Sequence, residues 1–323
     1  MTLTLLPGWT ARDIPDLTGR RAVVTGANSG LGLATATELA RHGAEVVLTA
    51  RDGAKGEEAL RRVRIDVPGA SVELAVLDLA DLESVRAFAT EQGDRPLDLL
   101  VNNAGVMAVP YRRTVDGFEL QLATNHLGPF ALTGLLLPAL LQRPAARVVT
   151  VSSFMHWFGS MQFGDLMSER SYDPWQAYCR TKLANLLFMR ELGRRADAAG
   201  LGLMSAAAHP GYARTNLQRV GPQMGGRRAT EIVLRLGTAV VGQSAATGAL
   251  PQLRAATDPD VGSGDYFGPR GPGGQRGLPK RVRMSANARD DIAARLLWEA
   301  SEQLTGVRPA LPAMPGSVAD GRR

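Results

Sequence analysis

Two residues in the stretch "DPWQAYCRTKLANLLF" (173–188) could do chemistry together, Tyr178 and Lys182. On a helix, a spacing of four puts them one turn apart on the same face. A phenol with an ordinary pKa near 10 is a poor acid or base at neutral pH. An ammonium beside it stabilises the phenolate, and a fall of about 2–3 units would bring it into the range of general acid–base catalysis. A surface tyrosine packed on a lysine stem would have the same spacing, so the rest of the chain must decide. Cys179 projects to another side of such a helix and is read as packed.

The elements that must place this pair alternate regularly. "RAVVT" (21–25) predicts a strand, "LGLATATELARHG" a helix stopped at Gly43, and "AEVVLTA" a second buried strand. "GEEALRRVRID" predicts an amphipathic helix, "SVELAVLDL" a third strand, "DLESVRAFATEQG" a helix, and "LDLLVNN" a fourth strand. A long helical pattern covers about 118–142, "ARVVTVSS" is a fifth strand, the 173–188 helix follows a long loop, and "GLMSAAAHPG" is a sixth strand. Near-continuous apolar strands separated by helices imply a parallel sheet covered on both faces. The later "GSGDYFGPRGPGGQRG" (262–277) reads as an irregular loop, and "RDDIAARLLWEASEQLTG" as a final amphipathic helix. The chain beyond residue 305 is expected to be a disordered tail.

"TGANSGLG" places Gly26, Gly30 and Gly32 between the first strand and the first helix. Glycines there permit positive φ and let the backbone approach a pyrophosphate, which the helix N-terminus stabilises. The second strand ends in Ala50 and Arg51 rather than in the carboxylate that NAD sites direct at the ribose. A guanidinium there can bind a 2′-phosphate in a charge-assisted contact, favouring NADP over NAD. A surface arginine paired with Asp52 or Glu57 is the plainer alternative.

Together these residues resemble the short-chain dehydrogenase/reductase family over about 19–215. "TGANSGLG" is similar to its nucleotide turn, Asp78 and Leu79 to its adenine-contacting pair, and "NNAG" (102–105) to the motif closing the fourth strand. "TNHLGPF", "VSS", "YCRTK" and "HPGYART" follow in the family's order. "RDGAKGEEA", "AYCRTKLANLLFMREL" and "AAHPGYARTNL" resemble the retinol-dehydrogenase-like branch in a bacterial form, without the N-terminal membrane anchor of many vertebrate members. The resemblance implies an α/β fold, a Rossmann-type doubly wound parallel sheet in three layers. It is a single domain over 19–305 with an N-terminal extension (1–18), a substrate loop (154–174) and a C-terminal substrate region (215–282). It implies a catalytic tetrad of Asn125, Ser153, Tyr178 and Lys182. Ser153, rather than Ser152, would hold the substrate oxygen, and Asn125 would hold a water near Lys182. Cofactor contacts are assigned to Gly26, Asn28, Ser29, Gly30, Leu31, Gly32, Asp78, Leu79, Asn102, Ala104, Tyr178, Lys182, Pro210 and Thr215, with Arg51 added from the strand end. Relatives are commonly homodimers or homotetramers through the helices beginning near Phe118 and Pro174.

Ser153 and Tyr178 are 25 residues apart, where most of the family spaces the pair more closely. The intervening stretch carries Phe154, Trp157, Phe158, Phe163, Tyr172 and Trp175, with Met155, Met161 and Met167. These residues either pack the insertion as a local core or line a large apolar pocket. The reading is an NADP-dependent oxidoreductase interconverting a carbonyl and a primary or secondary alcohol on a bulky hydrophobic small molecule. The alternatives are an NAD-preferring relative and a non-catalytic dinucleotide sensor.

Composition excludes other classes. The formal charge of +6 is dispersed rather than clustered with aromatics, which argues against nucleic-acid binding. One cysteine permits no internal disulfide and points to a reducing, cytoplasmic setting. The longest apolar run, "FALTGLLLPALL", is too short to span a membrane. His126, His156 and His209 lack ligand spacing, so no metal site is expected.

Overall fold

A computed structural model describes residues 8–212 and 243–311. Among these, the first 200 or so residues alternate as the sequence predicts: β1 (Arg21–Val24), α1 (Gly30–Arg41), β2 (Glu45–Ala50), α2 (Gly53–Asp66), β3 (Val72–Val76), α3 (Leu82–Gln92) and β4 (Leu99–Asn102). The long helical pattern is one continuous helix in three parts: α4 (Leu120–Leu122), a π-helical segment (Ala123–Leu127) and α5 (Gly128–Leu141). β5 (Arg147–Val151), α6 (Pro174–Ala198) and β6 (Met204–Ala208) complete the alternation.

The sheet has the strand order β3-β2-β1-β4-β5-β6 and then continues with β7 (Tyr266–Pro269) and β8 (Pro279–Arg281). All pairs are parallel except β7 with β8. The order reverses between β1 and β4, leaving a crevice above the carboxyl ends of those strands where ligands of doubly wound sheets bind. β7 corrects the expectation of an irregular loop over 262–277. "YFGP" is too short for alternation to reveal it, and it gains strand geometry by pairing with β6, far away in sequence. Helix α7 (Ala245–Thr257), also unforeseen, packs its buried Ala249, Leu253 and Ala256 into the core that α1 shares.

The second core layer explains another departure. Phe130 of α5, Phe188 of α6 and Trp298 of the last helix, α8 (Asp291–Thr305), form one aromatic cluster. His126 Nε2 lies 2.8 Å from Ser301 Oγ. That hydroxyl already donates to the Leu297 carbonyl, so His126 is the donor. α8 thus packs against both helices expected to carry a subunit interface, chiefly along α6. The terminal segments are also more integrated than expected. Ile14 is buried, Trp9 and Leu17 pack on the first core, and Val307 is buried against the second. Order therefore extends past residue 305, and the remaining expected tail, 312–323, lies outside the described residues.

Candidate active site

The glycine turn opens the crevice. Gly26 (φ +63°) and Gly30 (φ +58°) occupy the left-handed region, and a Cβ on Gly32 would meet Asn103 Nδ2 and the Gly26 carbonyl at 2.5 Å. Ser29 begins α1 without a side-chain capping bond, whereas Asp52 and Asp81 cap α2 and α3. The first amides of α1 are therefore left for an anion, at the positive end of the helix dipole. This cradle fits a dinucleotide pyrophosphate. A cavity of about 670 Å³ runs from the turn to the carboxyl ends of β4 and β5.

Gly26, Asn28, Ser29, Gly30, Leu31, Gly32, Arg51, Asp78, Leu79, Ala104, Ser153, Tyr178, Lys182 and Pro210 all line this cavity. Asn102 does not. It is buried, and its Nδ2 donates to Thr133 Oγ1 at 3.1 Å beneath α5. Its neighbour Asn103 borders the cavity instead, because consecutive residues leaving a strand face opposite sides. Thr215 and the stretch 215–242 of the expected substrate region lie outside the described residues. Arg51 is 70% exposed, and its nearest carboxylate among the described residues is Asp78, at 4.0 Å. It pairs with neither Asp52, which caps α2 and meets Lys55 at 3.2 Å, nor Glu57. Lys55 also lines the cavity, a second cation there that the sequence reading missed.

Tyr178 and Lys182 both turn into the cavity from α6, with Lys182 Nζ 5.6 Å from the centre of the Tyr178 ring. Burial works against the expected fall in the phenol pKa. Burial pushes Tyr178 up to about 12, with the Ser153 hydroxyl acting the other way, and pushes Lys182 down to about 8. Both groups are buried, so desolvation disfavours both charged forms, and the ammonium is turned to the Val151 carbonyl at 3.1 Å. Tyr178 is accordingly a protonated donor at neutral pH.

The two serines diverge as expected of neighbours at a strand end. Both border the cavity, but Ser152 is buried with its hydroxyl donated to the Lys182 carbonyl at 2.7 Å, whereas Ser153 is partly exposed. The Asn125 carboxamide is committed elsewhere than to Lys182. Its Oδ1 accepts from Val106 N at 2.7 Å, and its Nδ2 donates to Val106 O and Thr181 Oγ1, each at 2.9 Å. It sits in the π-helical segment, a form that recurs at functional sites.

His156, read as loop polarity, is buried. Nε2 accepts from Ser285 N at 3.2 Å, so Nδ1 carries the proton that it donates to the Ser153 carbonyl at 2.7 Å. It fixes the segment bearing Ser153 to the C-terminal chain. His209 is buried beside β7 and accepts from Gly211 N at 3.3 Å, supporting the turn through Pro210. Cys179 is buried and its thiol is pushed up to about 11.

The insertion splits between the two readings offered for it. Phe154, Met155 and Trp175, at its ends, line the cavity. Trp157, Phe158 and Phe163 do not line it; Phe158 packs edge-on against Phe154, and Trp157 packs against His156. The middle of the insertion is held by polar contacts rather than by an aromatic core. Arg180 is buried and donates to the Asp165 carbonyl, Ser168 Oγ and Gln162 Oε1 at 3.1–3.2 Å.

Fold and cavity define a nicotinamide-dinucleotide oxidoreductase acting on CH–OH groups. The short chain dehydrogenase family profile matches residues 20–224, and the chain belongs to that family. It is 41% identical to human retinol dehydrogenase 12 over 305 residues, covering 93% of this chain and 91% of that one. Mouse retinol dehydrogenase 14 is 41% identical over 303 residues, covering 90% and 86%. A crystal structure of an uncharacterised protein from Mycobacterium paratuberculosis superposes with a TM-score of 0.78 at 46% identity, covering 94% of this chain and all of the other. A Beutenbergia cavernae protein designated an NAD(P)-dependent gluconate 5-dehydrogenase, with NADP bound at low occupancy, gives 0.56 at 30% identity, covering 75% and 91%. Among the described residues no helix is long and apolar enough to cross a membrane, and no cluster of three metal-ligating side chains occurs.

Proposed function

We propose that this chain is an NADP-preferring enzyme that interconverts a carbonyl and a primary or secondary alcohol on a bulky hydrophobic molecule. The observation that carries the cofactor choice is Arg51, which borders the cavity where β2 ends without a carboxylate, with Lys55 beside it. The bound nicotinamide supplies or accepts the hydride. Tyr178, protonated in the chain, gives its proton to the carbonyl oxygen, and the Ser153 hydroxyl holds that oxygen and shares its developing charge. Lys182, between Tyr178 and the Val151 carbonyl, would receive the ribose hydroxyls and steady the phenolate left after transfer. Asn125 keeps the Val106 backbone and Thr181 in place beside Lys182, and Pro210, which borders the cavity, would contact the cofactor. A bulky apolar substrate is supported by Phe154, Met155, Met107 and Trp175 at the cavity wall, and by relatives named for retinol, itself a large apolar alcohol. The lone buried thiol is consistent with work in the cytoplasm. The test is hydride transfer with NADPH and NADH against a homologous series of aldehydes and ketones. NADPH should be used more efficiently, with kcat/KM climbing as apolar carbons are added. NADH used equally well, or a preference for small polar carbonyls, would refute the corresponding half of the reading.

A further inference from the structure

The helix that carries Asn125 begins with a residue no motif singles out. Gln121 is completely buried one turn before Asn125, and every hydrogen-bonding position it has to donate is used. Its Oε1 accepts from Ala108 N at 2.8 Å. Its Nε2 donates to Tyr172 Oη at 2.8 Å and to the Pro174 carbonyl at 2.9 Å. One side chain thus joins three separate stretches: the loop after β4, the end of the insertion, and the start of α6.

Two of those stretches supply parts of the cavity wall. Val106 and Met107 line it from the loop, directly before Ala108. Trp175 lines it from α6, directly after Pro174. Ala108 has a φ of +49°, a left-handed conformation unfavourable for a residue with a Cβ, which persists only where neighbours hold it. The bond from Gln121 is one such hold. A second comes from Tyr172, whose hydroxyl donates to the Val109 carbonyl at 2.7 Å. Glu119 lies within 3.2 Å of the same hydroxyl.

We propose that Gln121 is a positioning residue that sets the separation of the Val106–Met107 wall from Trp175, and so determines how bulky a substrate the enzyme accepts without touching it. The proposal rests on the reading of a bulky apolar substrate, and its test separates the two. Gln121→Met keeps the length and removes all three bonds, and Tyr172→Phe removes only the hydroxyl share. Hydrogen exchange needs no substrate. Ala108 N–H should exchange at least about tenfold faster in Gln121→Met, and by a smaller factor in Tyr172→Phe. In turnover, Gln121→Met should raise KM for the largest carbonyl of the series about tenfold with kcat within about threefold. KM for a three- or four-carbon aldehyde and Kd for NADPH should stay within about twofold. Tyr172→Phe should show the same split, smaller, and carries the test should Gln121→Met not fold. Unchanged exchange, or equal losses for large and small substrates, would overturn the proposal. A wild type without any size preference refutes the substrate reading instead, and exchange at Ala108 then still decides whether Gln121 holds the loop.

Discussion

The cofactor half of the cavity and the substrate half are built by different means. Around β1, β2 and α1 the site follows from chain-local geometry: a strand, a glycine turn with positive φ, and an uncapped helix start, resting on Val24, Leu39 and Val46 of the first core. Around the insertion the walls are hung from single side chains reaching across the sequence. Gln121, Tyr172 and Arg180 hold the insertion and the loop facing it, His156 holds Ser285, and Gln243 donates to the Pro210 carbonyl while accepting from Gly277 N. Apolar packing spreads its energy over many contacts, so in the first half the sensitive positions should be the turn glycines, where a Cβ would clash or be strained. Each buried polar bond leaves an unsatisfied group when cut, so the second half should be tunable one residue at a time.

The sharpest test removes chemistry while leaving both halves standing. Tyr178→Phe should lower kcat by about 10²–10⁴, the usual contribution of a general acid, with NADPH affinity within a few-fold by fluorescence titration. A variant retaining a tenth of the rate would show that the proton comes from elsewhere. In the cofactor half, Ala50→Asp with Arg51→Ala should shift the NADPH/NADH ratio of kcat/KM toward NADH. A charged hydrogen bond is worth about 1.5–3 kcal/mol, and the exposure of Arg51 reduces this, so about tenfold is expected. No shift would remove Arg51 from the phosphate site.

The seam between the halves carries a pH signature. Burial lowers His209 to about 4 and His126 to about 3, so both stay neutral in the folded chain while their unfolded counterparts take up protons near pH 6.5. The unfolded state then binds more protons below pH 6.5, and stability is lost as pH falls, by about 1.4 kcal/mol per unit for each histidine within its window. Urea midpoints should fall from pH 6.5 toward 4, and less steeply in His209→Gln. A flat midpoint over that range would mean that these histidines are not buried neutral.

The smallest effect probes the substrate wall. Phe154→Ala and Trp175→Ala should each flatten the rise of kcat/KM with chain length, where one buried methylene contributes up to about 0.8 kcal/mol. Trp157→Ala, an exposed residue in the same insertion, should leave both that slope and the melting temperature near wild type. Equal flattening by all three would mean that the whole insertion, not its two ends, meets the substrate.

By itself the sequence determined the alternation of strands and helices through β6, the glycine turn, the spacing of Tyr178 and Lys182, and the absence of a carboxylate after β2. These depend on neighbours a few residues apart, where periodicity and turn chemistry act directly. The tertiary structure alone decided the rest. It turned Asn102 under α5 and Asn103 into the cavity, made strands of "YFGP" and "PKR" by pairing them to the sheet edge, and laid α8 over the helices expected to meet a partner. It also set burial against the fall in the Tyr178 pKa that the spacing suggests, because burial is a property of everything packed around a residue. Gln121 was invisible for the same reason: its partners lie 13, 51 and 53 residues away, and only folding brings them within reach of one carboxamide.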